Sequence, residues 1–432
     1  MATLAVGIDV GSSSVKAVAL KRTGSGYQLK SVSQAEIRRA DFAPDESPQA
    51  LAEAPLRALE RVSQDSAFSR KACAFSVSGP RVAPRLFKFP SIPRSEVEQA
   101  IRFEAEQIIP FDLAQAALDF VLFDEGSEDG KPIMEGLVVA VHKEEVDKQF
   151  VLLKSGGFDP VVLDIDTLAA ANAYLETEGV GERETVALVN IGARFTNLSI
   201  LHGPARCFVR DISTGGDMLS RAVSEIYGLD LPQAEKRKKE AAFSPLDQLE
   251  SGDFEDDFGG GGPVAGEATE PGGLDALDAD GFGGGGEEYV LLDDDSADFG
   301  GEDAFMPEEG GDDFAESGQT QDAISAAQRM SANRAVLGDA LGDLISEIQD
   351  TFKYYINRRI VPRVDKVRLC GGTAKFPDID EFFASQLGVP TQLWNPFARI
   401  DVSAVERKYP QGFLDELAPS MVVATGLAMR SV

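Results

Sequence analysis

Asp9 is a lone acid in the apolar run Leu4 to Val10, and Lys16 lies just past the turn Gly11, Ser12, Ser13, Ser14 that follows it. A carboxylate in an otherwise apolar strand needs a partner, and hydrated magnesium is the partner expected here. The turn offers consecutive backbone amides and three hydroxyls with little side-chain bulk, which suits the approach of phosphate oxygens. An ammonium at Lys16 reaches phosphate as a point charge. A second segment, Val189 to Thr196, turns on Gly192 and Ala193 behind Asn190. A third, Leu369 to Thr373, turns on Gly371 and Gly372. Each alone reads as an ordinary polar turn. Together they describe two hairpins facing one anion, with a paired-glycine turn flat enough to lie against a base or ribose.

The elements that must hold these turns alternate between strands and helices, an α/β class. The turn Gly11 to Ser14 joins Leu4 to Val10 and Val15 to Leu20, and further strands are expected at Tyr27 to Ile37 and Lys71 to Val77, around a helix from Ser47 to Asp65. A separate unit from Arg81 to Ala140 carries strand Val82 to Phe89, helix Ser95 to Ile108, and strands Ala117 to Phe123 and Ile133 to Val141. On that helix Val97, Ala100, Ile101, Ala105 and Ile108 form an apolar stripe, with Phe103 and Ile109 off it. The alanine-rich stretch Asp166 to Tyr174 reads as a crossing helix. Strands Thr185 to Ile191, Asn197 to Leu201 and Cys207 to Ile212 then open a second lobe, followed by a helix from Gly215 to Tyr227. Ala323 to Arg359 reads as one long helix, and Asp378 to Leu387 as another. The expected domains are a first lobe of residues 1–80 and 141–183, an extra subdomain of 81–140, and a second lobe of 184–243 and 323–432.

The formal charge of −31 over 432 residues is concentrated. Residues 244–322 hold 25 Asp and Glu, 18 glycines and no Lys or Arg, which leaves 47 of the 72 acids against all 41 bases elsewhere. Such a composition cannot bury enough apolar surface to offset ordering entropy, so an acidic, glycine-rich disordered insertion is expected there. No basic patch argues for nucleic acid. Cys73, Cys207 and Cys370 are widely separated in apolar settings and read as buried thiols of a reducing compartment. His142 and His202 lack a second ligand at metal spacing. No signal peptide or membrane span is read.

The three glycine segments resemble the two phosphate loops and the adenosine loop of actin-like ATPases. More narrowly, Arg94 to Val97, Phe103 to Phe111, Asn395 Pro396 Phe397 and Gly426 to Arg430 resemble the PilM family of the type IV pilus machine, over nearly the whole chain except the acidic segment. The resemblance implies a two-lobe actin-like fold with an FtsA-like extra subdomain, binding of ATP and Mg2+, and a groove beside that subdomain for the cytoplasmic N-terminal tail of the inner-membrane protein PilN. It puts Asp9 and Asn190 near the metal, Gly11, Ser12, Ser13 and Lys16 on the phosphates, and Gly192, Ala193 and Thr196 in the second phosphate loop. Gly371 and Gly372 fall against the adenosine, Glu235 and Lys238 at the ribose and base, and Phe103 and Phe111 at the partner groove. Pilus motor ATPases and the platform protein are further implied neighbours. The implied location is cytoplasmic, at the inner membrane through a partner, and a homo-oligomer is open.

Many actin-like ATPases carry aspartate where this chain has Asn190. Asparagine keeps the shape but cannot act as a base, so ATP binding with slow or absent turnover is expected. Asp166, at the start of the crossing helix, is a candidate acid facing the cleft, although capping and the helix dipole would explain it equally well. Two alternatives stay open: a small-molecule kinase of the same fold, for which Asp164 or Asp166 would be the base, and an FtsA-like filament protein, which usually ends in an amphipathic membrane helix not seen here.

Overall fold

Strands β1 (Leu4–Val10) and β2 (Ser14–Thr23) bury Val, Ile, Leu and Ala side chains on both faces and pair antiparallel from Leu4 opposite Lys21 to Val10 opposite Val15. With β3 (Gly26–Glu36), β4 (Ala72–Val77) and β9 (Asp159–Ile165) they form a sheet ordered β3-β2-β1-β4-β9, a meander continued by parallel strands. The plan repeats in β12 (Arg206–Ile212), β11 (Thr196–His202), β10 (Thr185–Ile191), β13 (Lys366–Cys370) and β14 (Thr391–Leu393), again a meander followed by parallel strands. A third sheet holds β5 (Val82–Pro90), β8 (Lys131–His142) and β6 (Ala116–Leu122), with β7 (Gly126–Glu128) also on β8. This computed structural model describes residues 4–68, 72–123, 126–128, 130–241, 337–338, 340–357 and 360–430. The acidic segment 244–322 and the first part of the helix expected over Ala323 to Arg359 lie outside the described residues. Residues 340–357 are helical (α7) and bury Leu341, Leu344, Ile345, Ile348 and Phe352.

Two helices join the repeated sheets. Helix α4 (Asp166–Thr177) follows β9 directly and leads to the second sheet; α10 (Val422–Met429) returns to β1 and is buried along its whole length. They cross at contact distance because the crossing points lack side chains. A Cβ on Gly426 would fall 1.8 Å from the Ala169 carbonyl oxygen, and one on Gly7 of β1 2.1 Å from that of Ala424. Asn172 Nδ2 donates to the Gly426 carbonyl at 3.0 Å and ties the crossing. Both phosphate-type turns therefore open on the same interior seam.

Elsewhere the local signals are plain. Ser47 caps α1 (Pro48–Ser63), its hydroxyl accepting from the Ala50 amide at 3.2 Å. Helix α5 (Gly216–Tyr227) stops at Gly228 in the left-handed region. On the third sheet α2 (Arg94–Ile108) buries Val97, Ile101 and Ala105 against Phe87, Met134 and Val138. Ile109 is also buried in that core, against the expectation from the stripe. The helix ends at Ile108 and Ile109 takes an extended backbone, so the helical period no longer decides where its side chain goes.

Candidate functional site

In the first lobe, pairing of β1 with β2 and of β2 with β3 sets Asp9, Lys16 and Gln34 side by side. Lys16 Nζ donates to Asp9 Oδ2 at 3.0 Å, with both side chains largely buried. The Gly11 amide closes the turn on the Ser14 carbonyl at 3.1 Å. Asp166, in the first turn of α4, faces this pair. Its Oδ1 accepts from the Ser76 hydroxyl at 2.6 Å. Burial first, then the neighbouring Asp9, push the Asp166 carboxyl up to about 7, while bonds from Ser76 and Ser78 pull the other way. The cap of α4 is Ile165 and there is no side-chain capping bond, so capping does not account for this acid.

In the second lobe, register sets Asn190, Asn197 and Asp211 side by side on β10, β11 and β12. Asn190 Nδ2 donates to Asn197 Oδ1 and Asn197 Nδ2 to Asp211 Oδ1, each at 2.8 Å. Asp211 Oδ2 accepts the Gly79 amide at 3.0 Å, from the loop after β4 of the first lobe. Gly79 has φ +96, a backbone that disfavours side chains. The Gly192 amide closes its turn on the Phe195 carbonyl at 3.0 Å, matching Gly11. The Gly192 and Ala193 carbonyls then accept the first amides of α5, from Gly216 and Asp217, both at 2.8 Å. Gly371, at φ +95, packs on the Ile191 backbone, where a Cβ would meet the carbonyl oxygen at 2.3 Å.

These groups share one cleft of about 980 Å³. It is lined by Asp9, Gly11, Ser12, Ser13, Lys16, Asn190, Gly192, Ala193, Glu235, Lys238, Gly371 and Gly372 of the expected residues. Thr196 is fully buried and does not line the cleft; its hydroxyl donates to the Thr214 carbonyl at 2.7 Å, which removes it from any phosphate. Glu235 and Lys238 sit on α6 (Leu231–Ala241) and pair at 2.6 Å. Lys238 also donates to Ser220 Oγ at 2.8 Å and the Gly216 carbonyl at 3.1 Å. Burial raises the Glu235 carboxyl, but the Lys238 ammonium outweighs it and holds the group below its usual range. Burial holds Lys238 below its own. Phe103 and Phe111 lie away from this cleft: Phe103 is 66% exposed on α2, and Phe111 packs edge-on against His142 with centroids 5.9 Å apart.

Sequence reasoning passed over several groups. Lys375, just beyond the glycine pair, lines the cleft, and burial first, countered by Glu416 and reinforced by Lys16, lowers its ammonium. Asn395 accepts from the Phe397 amide at 2.8 Å and donates to Asp415 at 3.0 Å, which holds α9 (Phe413–Leu417) with Asp415 and Glu416 at the cleft. Three ion pairs cross between the lobes beside α5 and α6: Glu36 with Lys239 at 3.0 Å, Arg39 with Asp217 at 2.6 Å and Asp41 with Arg221 at 3.7 Å. The Arg39 guanidinium also stacks over Phe42 at 4.1 Å. Only the register and the closure of the chain bring these together; Arg39 and Asp217 are 178 positions apart.

Chemically, two turns of backbone amides and the cations Lys16 and Lys375 suit a polyphosphate. Among the described residues no group of three or more His, Cys, Asp or Glu could hold a metal ion. Asp9 and Asp166 therefore fit magnesium that keeps its waters and takes further ligands from phosphate, and do not form a protein cage. Among the described residues no helix is long and apolar enough to cross a membrane.

A family profile described as type IV pilus assembly protein PilM matches residues 7–248 and 320–432. Among solved structures, the PilM-PilN type IV pilus biogenesis complex is similar over 100% of this chain and 99% of that one, at 22% identity and a TM-score of 0.62. The ethanolamine utilization protein EutJ from Carboxydothermus hydrogenoformans is similar over 99% of this chain and 90% of its own, at 13% identity and a TM-score of 0.44. MreB 5 of Spiroplasma citri bound to AMPPNP is similar over 98% and 94%, at 11% identity and a TM-score of 0.38. The architecture is the two-lobed actin-like α/β fold, with the third sheet as an added subdomain.

Proposed function

Because the chain belongs to the PilM family of type IV pilus assembly proteins, we propose that it is the ATP-binding scaffold of the pilus machine at the cytoplasmic face of the inner membrane. In this reading its cleft holds ATP and Mg2+, and a groove at the root of the third sheet holds the cytoplasmic N-terminal tail of PilN. The boundaries adopted are the two lobes and subdomain 81–140 given above. The observation that carries the reading is the shape of the cleft. Its lining takes in both phosphate turns and also Ser78, Pro80, Arg81, Glu145, Lys148, Gln149 and Leu152, so nucleotide and peptide would share one cavity. Gln149 Oε1 is buried there without a hydrogen bond, an acceptor suited to a peptide amide. Phe103, exposed on α2 away from the cleft, would take part only through a partner segment that continues past that cavity.

Asp9 would contact the hydration shell of the metal, and Lys16 and the turn amides the phosphates. Gly371 and Gly372 would lie against the adenosine, with Glu235 and Lys238 at the ribose. Magnesium, when bound, supplies charge neutralisation at the phosphates. Asn190 cannot take a proton from water, so turnover is slow or absent. The test is calorimetric titration of a PilN-tail peptide into nucleotide-free and ATP-loaded protein. A ligand shifts a conformation only by its differential affinity, so the two affinities should differ; equal values would overturn the coupling. Single-turnover hydrolysis at about 1 to 100 per second, the range of kinases, would overturn the scaffold reading in favour of an enzyme.

A further inference from the structure

Asp211 lies two strands away from Asn190, yet the hydrogen bonds between them have a fixed direction. The Gly79 backbone amide can only donate, and it donates to Asp211 Oδ2 at 3.0 Å. Asp211 Oδ1 accepts as well, from Asn197 Nδ2 at 2.8 Å. Asn197 must then present its carbonyl oxygen to β10, where it accepts from Asn190 Nδ2 at 2.8 Å. An amide whose nitrogen is engaged this way has its carbonyl oxygen left for other ligands, and Asn190 lines the cleft. We infer that Asp211 is a positioning residue: through Asn197 it locks the Asn190 amide so that Asn190 Oδ1, an acceptor, faces the metal side of the nucleotide. The inference rests on the proposal that the cleft binds ATP with Mg2+.

The arrangement explains how an asparagine serves beside a metal. Waters on a cation donate hydrogen bonds outward, so the surrounding groups must accept. A free asparagine amide can turn either end to the cleft, and with its nitrogen inward it would oppose the waters of the metal. The chain of one backbone donor, one carboxylate and two amides removes that choice. Asp211 is well placed to act as the fixed end, since a carboxylate that accepts two donors has no alternative orientation. Because Gly79 belongs to the first lobe, the lock is complete only when both lobes are in place.

The experiment is ATP affinity by calorimetry, with magnesium and in EDTA, for the full chain, Asp211→Asn and the double variant Asp211→Asn with Asn190→Asp, each first checked for folding by circular dichroism. In the wild type, magnesium should tighten binding. Asp211→Asn frees both amides to flip and should lose roughly tenfold of the magnesium-dependent part, at the low end of what removal of outer-shell partners costs, with affinity in EDTA unchanged. The double variant should recover that part, because a carboxylate at residue 190 has no wrong end. Equal losses with and without magnesium, or no loss, would overturn the inference. No ATP binding by the wild type under either condition would instead overturn the reading on which it rests. If Asp211→Asn fails to fold, Asn197→Ala serves in its place: it removes the acceptor that holds Asn190 Nδ2, so the same magnesium-dependent loss is expected, and no loss would overturn the inference.

Discussion

The two lobes share one scaffold and use it for different chemistry. Each opens with a three-stranded meander, closes a glycine turn through one amide bond of 3.0 to 3.1 Å, and lines up three polar residues across the strands. In the first lobe the row is Asp9, Lys16 and Gln34, and an ion pair stands at the turn itself. In the second it is Asn190, Asn197 and Asp211, and the carboxylate has moved two strands outward. The first lobe thus contributes charge and the second contributes orientation. A duplicated fold keeps register under divergence more readily than it keeps residue type, because a one-residue slip would turn every side chain of a strand to the other face.

The comparison would break most severely if the lobes were forced apart. Gly426→Val places a branched side chain on the Ala169 carbonyl, and overpacking a backbone contact costs about 3 kcal/mol or more. Urea unfolding should show one transition shifted as a whole; two transitions, only one of them moved, would mean that the lobes are stable separately. Next in size is the loss of charge at the first turn. Lys16→Ala should weaken ATP binding by up to about 100-fold, the worth of a hydrogen bond between charged groups, and Asn190→Ala by about 10-fold. Similar losses for both in calorimetry would erase the division of labour.

Giving the second lobe the chemistry of the first sharpens the contrast. Asn190→Asp supplies a carboxylate beside the attacking water and should raise single-turnover hydrolysis by about 100-fold, the low end of general acid–base catalysis. An unchanged rate would place the deficit elsewhere. The smallest effect concerns Asp166, raised to about 7 by burial and by Asp9. An acid whose carboxyl is raised on folding favours the native state when protonated. Its contribution is therefore full below the ordinary carboxylate range and is lost as pH climbs through about 7. Without nucleotide, Asp166→Asn should be more stable than the wild type at pH 8, with the gap closing only as pH falls to the ordinary carboxylate range of about 4. Thermal melts across that range measure it, and a gap of constant size would rule the titration out.

Much of this was legible from residue order. The strands around Gly11, Gly192 and Gly371 are short apolar runs bounded by turn residues, and α1, α4 and α5 announce themselves through a capping serine, a run of alanines and a closing glycine. What stayed hidden depends on pairing between distant strands. Nothing near Asp211 in the chain marks it as a neighbour of Asn190; only the registers of β10 with β11 and β11 with β12 bring it there. Thr196 looked like a phosphate ligand because its type and position allow it, but the Thr214 carbonyl claims its hydroxyl. Ile109 broke the stripe rule because the helix had ended one residue earlier.

The three ion pairs across the lobes carry one more consequence. Along the first lobe the signs run negative, positive, negative at Glu36, Arg39 and Asp41, and they meet positive, negative, positive at Lys239, Asp217 and Arg221. The two outer pairs are exposed and add little to stability, a fraction of about 1 kcal/mol each, while Arg39 and Asp217 between them are largely buried. Their alternation does something else: a lobe sliding by one position would set like charges face to face. The sequence of signs works as a key cut for a single alignment of the two lobes.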